Sequence, residues 1–510
     1  MKGSKKILSL GLAVAMAFSV GASAFAASAA ENEPVYTPTY NDRVTEEKVE
    51  ELITMADGAL DSMVWANYGG TVVNAIYGVL PQLGSFAADF GTVAFYQSLD
   101  AELFADLTPA EGETEVTAES MAAYLETHTA SVATAQDLYD TIENLLKNVL
   151  PAFLKAELPT EDILGFNMDG ATVLYMVYTM LSGYTVFPGI SDLLTALGLD
   201  PERKLLGDIV NNELVDEDTG AGKEDLSQAV NSLTNSVMDV VKLLLPNTVD
   251  KVLTLVKNYA NNQEKVLAAV NQITNSESGL PAALDLVGGL LSDVDLSGVQ
   301  DVIAKINSYI AQNMVGEEEP VLNIDGLVNQ LLTDNGIGSI VAVVADGEES
   351  TAMLKLSSIN DLIASIADEG VESSADVLMV AYNYLYDNIF GNDQNYTTIK
   401  NALPLIANFL PDLGLDEATV QMITEMIPTI TGLLDQLKAA GPLGTMDTLM
   451  VMLGILEDPN AVTPTDPTQP SDGGNTTDTE NPATGDAALG AVVMMGTAAA
   501  AAVVLLRRKK

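Results

Sequence analysis

The sequence predicts a mostly α-helical protein made of many short helices separated at prolines. Apolar residues recur every three or four positions at 227–244, 248–272 and 416–438, which is the spacing of one face of an amphipathic helix. Proline repeatedly follows leucine or isoleucine inside apolar stretches, and proline kinks a helix or starts a new one. These pairs are Leu80-Pro81, Leu150-Pro151, Leu245-Pro246, Leu403-Pro404, Leu410-Pro411 and Ile427-Pro428.

Local signals mark helix starts and one exception to the helical pattern. A side chain that can cap a helix stands directly before acidic residues at three places, and acids in the first turn favour the helix dipole. These residues are Thr45, Thr160 and Asp416. The exception is a predicted minor β-hairpin with strands at Ser339–Val344 and Ala352–Leu356 and a turn at Asp346-Gly347.

Two segments of the body are similar and predict two related helical halves. The segment ATVLYMVYTMLSGY at 171–184 aligns with ADVLMVAYNYLYDN at 375–388, and each is followed by Leu-Gly-Leu-Asp. We therefore expect a boundary near 220–245, and the alternative is chance similarity between two amphipathic helices. The predicted order is a signal peptide at 1–26, a lead at 27–45, helical domains at 46–225 and 226–456, a linker at 457–480 and a C-terminal signal at 481–510.

The composition excludes several classes of function. The 510 residues include 71 acidic and 22 basic side chains, no cysteine and a single histidine. The lack of cysteine excludes thiol nucleophiles, disulfides and cysteine-based metal sites, and one histidine cannot build a multi-histidine site. A formal charge of −49 also argues against nucleic acid as a partner, because phosphate binding needs a concentrated basic surface.

The sequence motifs predict no catalytic residue, no bound metal and no cofactor. Residues 293–298 match the first half of a calcium loop and Asp301 stands at its ninth position, but the twelfth position is Ala304, where a bidentate acid is required. We expect His128 to lie on the surface and not to act as a base. The 71 acidic residues leave a carboxylate pair for glycoside hydrolysis open. We interpret Tyr382, Tyr384 and Tyr386 as packing at the edge of the core, with a binding surface as the alternative.

Two uncharged stretches, Ser62–Ala88 and Gly170–Ser191, are long enough to span a membrane. Both contain polar residues or proline, so we interpret them as buried core helices.

The N-terminal residues have the three parts of an export signal. Lys2, Lys5 and Lys6 precede an uncharged apolar run from Ile7 to Ala26. Small residues at Ala24 and Ala26, and again at Ala27 and Ala29, then form two acceptable signal-peptidase sites. We expect cleavage after Ala26, and the alternative is an uncleaved membrane helix.

The C-terminal residues also have three parts. The pentapeptide Asn481-Pro482-Ala483-Thr484-Gly485 precedes an uncharged span from Ala487 to Leu506. Twenty residues of helix extend about 30 Å, which matches the hydrocarbon core of a bilayer. Four basic residues follow and would stop transfer on the cytoplasmic side. They are Arg507, Arg508, Lys509 and Lys510.

This ending resembles the sorting signal of Gram-positive surface proteins that sortases join to the cell wall. The resemblance covers only the last 30 residues, and Asn481 replaces the leucine of the common LPxTG motif. It implies that a sortase thiolate attacks the carbonyl of Thr484 and releases Gly485 onward. A peptidoglycan amine then attacks the acyl-enzyme, displaces the sortase thiolate and forms the new bond to the carbonyl carbon of Thr484. Asn481 leaves open which class of sortase acts.

The expected product is an acidic helical body displayed outside a Gram-positive cell. The linker before the motif is rich in proline, threonine and aspartate, and the stretched chain from Glu457 to Thr484, some 28 residues, would reach about 85 Å. We expect a non-enzymatic adhesion or interaction module for an unidentified extracellular ligand. The alternatives are a structural wall or coat component and a carbohydrate-active enzyme.

Overall fold

The computed structural model describes residues 34–85, 88–158, 168–199, 206–216, 222–290, 297–315, 321–345, 348–409 and 417–459. Within these ranges the chain is mostly helical with a few very short strands, which confirms the predicted fold class. The predicted signal peptide, the sorting signal and all of the linker beyond residue 459 lie outside the described residues.

The chain forms two compact units, and the boundary differs from the predicted one near 220–245. Thr54–Asn323 belong to the first unit. The second unit combines the chain from Ile324 onward with N-terminal residues up to Ile53. The helices aligned in the sequence, at 171–184 and 375–388, therefore fall in different units, while the proposed duplication itself stays a prediction.

Helix α1 (Glu46–Leu60) begins at its predicted cap and runs directly into a π-helix, Asp61–Gly69. The first unit continues with α2 (Gly70–Tyr77), 3₁₀ turns at Leu80–Ser85 and Ala88–Gly91, α3 (Val93–Leu99), α4 (Ala118–Thr127), α5 (Ala135–Lys155), β1 (Glu157–Leu158), β2 (Met168–Asp169), α6 (Gly170–Leu181) and α7 (Val186–Ala196). It ends with α8 (Leu206–Ile209), a π-helix at Val210–Leu214, α9 (Ser227–Val241), α10 (Thr248–Asn261), α11 (Gln263–Thr274), α12 (Leu280–Leu290), α13 (Ser297–Gln312), β3 (Met314–Val315) and β4 (Val321–Leu322).

The second unit contains α14 (Ile324–Asp334), β5 (Val341–Val343), β6 (Leu354–Leu356), α15 (Ile359–Ala367), α16 (Ser374–Tyr386), a π-helix at Asp387–Gly391, α17 (Asp393–Phe409) and α18 (Glu417–Met452). Residue Gly441 breaks α18 with φ 74° and ψ 175°, and Pro442 then starts its last three turns. The segment predicted as one helix at 248–272 is also broken, at Asn262 between α10 and α11.

Proline does not end helices as often as predicted. Pro151, Pro404 and Pro428 lie inside α5, α17 and α18. Each proline removes one backbone donor from its helix. In α5, the buried side chains of Leu138 and Leu154 flank Pro151 on the same continuous helix, so packing along its apolar face outweighs that local cost.

The first unit is built around an aromatic core. Five fully buried or nearly buried rings contribute to it, and Phe90 and Phe95 meet edge to face with centroids 4.9 Å apart. The rings are Tyr77, Phe90, Phe95, Tyr96 and Phe104. A second cluster forms around Leu154, Ile209 and Leu214, where α5, α6 and α9 pack together.

A helix–ladder–helix motif recurs in the chain. The two-residue antiparallel ladder β1–β2 joins α5 to α6, and β3–β4 joins α13 to α14. A single antiparallel bridge, Val215 with Gly222, joins the π-helix at Val210–Leu214 to the segment before α9. In both ladders the second helix begins within a repeated Asn-x-Asp-Gly sequence, at 167–170 and 323–326.

The predicted β-hairpin is wrong, because β5 and β6 pair in parallel. The turn at Asp346-Gly347 lies outside the described residues. Two asparagines hold the strands from either side. The Asn329 amide accepts from the backbone N–H of Val343 at 2.8 Å and donates to its carbonyl at 2.7 Å. Asn395 does the same to Lys355, at 2.9 and 2.6 Å. The two side chains thus satisfy backbone groups on the outer edges of the pair, as neighbouring strands would.

Helices α14 and α15 cap each other. The buried carboxylate of Asp325 accepts from the hydroxyl of Ser358 at 2.6 Å and from the N–H of Ile359 at 2.7 Å. In return, the side chain of Asn360 accepts from the N–H of Ile324 at 3.2 Å. Orphan donors at both helix starts are satisfied inside the unit, which fixes the angle between the two helices.

The two uncharged stretches are not buried throughout, in contrast to the prediction. In each stretch some apolar side chains are buried in the core and others are exposed. The outer face carries apolar residues because the stretch contains no charged residue. The exposed side chains are Met63, Tyr68 and Val72 in one stretch and Val177, Met180 and Ile190 in the other. Across the described ranges, no single helix is long and apolar enough to cross a membrane, although α6 and α7 together meet that test across a 90° bend.

Candidate functional site

The residues predicted to carry sorting and export fall outside the described part of the chain. These are Ala24, Ala26, the motif Asn481 to Gly485 and the basic tail Arg507 to Lys510. The structure does describe the point from which the linker leaves, up to Pro459.

The N-terminal strap, residues 34–45, runs over the second unit without regular secondary structure. Its Tyr36 is buried, stands edge to face with Tyr384 at 5.4 Å and donates its N–H to the hydroxyl of Ser365 at 3.0 Å. Asn383 donates to the carbonyl of Thr37 at 2.8 Å. Helices α15 and α16 therefore bind the strap largely through hydrogen bonds to its backbone.

Tyr40 joins the strap to a helix cap. Its hydroxyl donates to the carboxylate of Asp376 at 2.7 Å, and this carboxylate also accepts from the N–H groups of Glu372 and Ser373. Burial alone would raise the pKa of Asp376, but the hydrogen bonds from Tyr40 and from the capping box outweigh it and hold the pKa below its usual value. Burial and the same contact raise the pKa of Tyr40.

Arg43 ties the strap to the C-terminal end of the body. Its guanidinium forms an ion pair with Asp447 and donates to the backbone carbonyl of Glu457 at 3.0 Å. Just before Glu457, Ile455 is buried and Gly454 turns the chain with φ 78°. The residue that opens the predicted linker is thus held at a fixed place on the second unit.

The tyrosine cluster packs α16 against its neighbours. Each of the three hydroxyls donates to a backbone carbonyl: Tyr382 to Pro442 at 2.8 Å, Tyr384 to Ser357 at 2.8 Å and Tyr386 to Lys438 at 3.1 Å. These bonds support the interpretation as packing at the edge of the core.

Charged groups from α17 and α18 meet around Tyr396. Lys438 lies 4.3 Å from its ring centroid and pairs with Asp393, while Lys400 pairs with Asp435 at 2.6 Å. Hydrogen bonds from Lys400 and Tyr396 hold the pKa of Asp435 low. Desolvation and the bond to Asp435 raise the pKa of Tyr396 to about 12. The arrangement clamps two helices together, since each charge already has a partner.

His128 lies on the surface, as predicted. It ends α4, and its ring stacks on that of Tyr124 with centroids 3.9 Å apart. Its Nδ1 contacts Thr127 and the carbonyl of Tyr124 on the same helix.

The calcium-loop match at 293–298 lies partly outside the described residues, because the structure does not describe 291–296. Asp301 and Ala304 lie within helix α13, and no group of three or more potential metal ligands occurs among the residues that the structure describes. A groove of about 210 Å³ beside β5 is lined by Asn329, Thr333, Glu348 and Glu349, among others. Asn329 already serves the strand, so the groove is part of the framework around the parallel pair.

Sequence reasoning missed the strap. Its signal was the spacing of Tyr36, Tyr40 and Val44 at intervals of four in a segment interpreted as a simple lead. Compared with known protein families, curated proteins and solved structures, the chain matches none.

Proposed function

We propose that this protein is exported, cut by a sortase between Thr484 and Gly485 and linked through Thr484 to peptidoglycan on a Gram-positive cell. The single observation that carries the proposal is the ordered ending of motif, apolar span and four basic residues at 481–510. Each part has a physical task. The proline keeps the motif extended, the span holds the chain in the bilayer, and the basic tail stops transfer.

The geometry of the body supports display from a tether. Arg43 and the buried Ile455 hold the chain just before the linker, so the body would sit on its spacer at a defined exit point. The linker provides a reach of about 85 Å when stretched, which suits presentation beyond a thick wall.

The test of anchoring is the substitution Thr484→Ala with Thr477→Ala as its matched control. Thr477 lies in the linker, seven residues before the motif residue. Thr484→Ala should leave the protein in the membrane fraction or shed it, while Thr477→Ala should still be released with muramidase fragments. If Thr484→Ala protein stays with peptidoglycan after boiling in detergent, the proposed anchoring is wrong.

For the displayed body we propose a non-enzymatic interaction module with an extracellular ligand. Muramidase-released protein should then bind a host or glycan surface saturably. An ordered lattice at high copy number without saturable binding would instead favour the structural wall component.

A further inference from the structure

The long-range hydrogen bonds described for the strap go to residues 365–457, near the far end of the sequence. Its hydrogen bonds span 329 residues to Ser365, 336 to Asp376 and 346 from Asn383. Those of Arg43 span 404 residues to Asp447 and 414 to Glu457. The whole first unit, Thr54–Asn323, is inserted between the strap with its helix and the rest of the second unit.

This connectivity constrains the order in which contacts can form while the chain emerges during synthesis, N-terminus first. The strap emerges first, but Ser365, the nearest of its long-range partners in sequence, emerges only after the complete first unit. The strap has Pro38 and no internal regular structure, so its order depends on contacts that do not yet exist. The entropic cost of closing such a long loop is offset only once several of these contacts form together.

We propose that the strap is a closing device that stays open while the first unit emerges and locks only when the chain has emerged to Glu457. Arg43 supplies the lock because its guanidinium bonds both Asp447 in the last turns of α18 and Glu457 at the exit of the linker. Completion of the second unit would then coincide with arrival of the sorting signal at the membrane. That last step rests on the proposed export and anchoring, whereas the order of closure does not.

The absence of cysteine makes the order measurable with pairs of introduced cysteines. Thr39→Cys with Asn383→Cys reports strap docking, because the two side chains lie 3.4 Å apart. Thr185→Cys with Ser278→Cys is the matched control in the first unit, with hydroxyls also 3.4 Å apart. The full chain is synthesised in a synchronised cell-free reaction and treated at intervals with a short bismaleimide cross-linker.

The control pair should cross-link in chains that have emerged only through the first unit. The strap pair should react at least about tenfold less in chains that have emerged to residue 416 than in completed chains, since α18 is still missing. Equal cross-linking of the strap pair at both lengths would overturn the proposal. Because no export is involved, this outcome is distinct from failure of the Thr484→Ala test.

The lock itself is tested in the completed chain. Arg43→Gln should lower cross-linking of the strap pair several-fold. Lys48→Gln, which removes a cation paired with Glu51 on its own helix, should leave the cross-linking unchanged. Cross-linking in Arg43→Gln protein at the level of the unsubstituted chain would show that Arg43 is not the lock.

Discussion

Gly58 and Gly70 lie on one continuous helical run but serve opposite needs. A Cβ on Gly70 would lie 2.1 Å from the carbonyl oxygen of Ala130, so the segment after α4 can approach only because the side chain is absent. Nothing lies within 4 Å of a Cβ on Gly58, in the exposed part of α1.

We therefore predict opposite effects on the free energy of unfolding. Gly70→Ala should destabilise the first unit by about 1–3 kcal/mol, because backbone must move to make room. Gly58→Ala should stabilise by about 0.5–1 kcal/mol through the helix preference of alanine. Urea unfolding followed by circular dichroism measures both, and a similar loss for the two variants would contradict the packing described for Gly70.

Asp376, which binds Tyr40 of the strap, makes the stability of the second unit depend on pH. Its pKa is lowered in the folded state, so it contributes stability above the unfolded-state pKa of about 3.9, and this contribution is lost as the pH falls through the folded pKa. Asp376→Asn should cost about 1–3 kcal/mol at neutral pH, because a buried, hydrogen-bonded carboxylate is replaced. The difference between the two proteins should shrink below about pH 4.

The exposed Glu369→Gln serves as the control for loss of one carboxylate from the same unit. It should follow the unsubstituted protein at every pH. A difference between Asp376→Asn and the unsubstituted protein that is independent of pH would show that the hydrogen bonds do not depend on the charge.

At the scale of elements, the parallel pair β5–β6 depends on its two asparagines. Asn329→Ala and Asn395→Ala should each speed hydrogen exchange, at the amides of Val343 and Lys355 respectively, because each amide loses its acceptor. Asn335→Ala is the control, since its amide donates to Leu331 on its own helix. Unchanged exchange at Val343 in the Asn329→Ala protein would mean that the side chain does not hold the strand.

The same pair shows what the sequence could and could not predict. Short apolar runs located both strands, and the Asp346-Gly347 turn sequence between them suggested a hairpin. The parallel pairing itself and the bonds that Asn329 and Asn395 make to the strand edges join residues far apart in sequence, and they give no local signal. Helix starts were predictable where capping is local, as at Thr45, whereas the break at Asn262 lies within unbroken apolar periodicity.

Long-range features were likewise hidden from local patterns. The N-terminal residues up to Ile53 belong to the second unit, and contacts between residues 36–43 and 365–457 place them there, which no periodicity reports. The uncharged stretches were predicted as core from their composition alone. Their exposed residues, such as Tyr68 at 63% exposure, depend on which neighbours happen to cover each face.

At the scale of the whole molecule, charge is the dominant property. Removing residues 1–26 and 485–510 takes away seven of the 22 basic residues and one of the 71 acidic residues, which leaves a formal charge of −55. Repulsion among these charges opposes compaction and is screened by salt, with a Debye length of about 8 Å at physiological ionic strength.

The melting temperature of the processed protein should therefore rise between low and physiological salt. Differential scanning calorimetry in sodium chloride measures this. Repeating the scans in choline chloride at the same ionic strength separates general screening, which both salts provide, from specific binding of sodium. A melting temperature that does not change with salt would mean that the acidic groups are already compensated.

The central claim is covalent attachment at Thr484, and the C-terminal peptide of wall-released protein tests it most directly. The protein is released from purified walls with muramidase and digested with a protease. The mass of its C-terminal peptide is then measured by mass spectrometry. We predict a peptide that ends at Thr484 and carries the added mass of a peptidoglycan amine fragment. A peptide that continues through Gly485 to Lys510, or that ends at Thr484 with a free carboxylate, would contradict it.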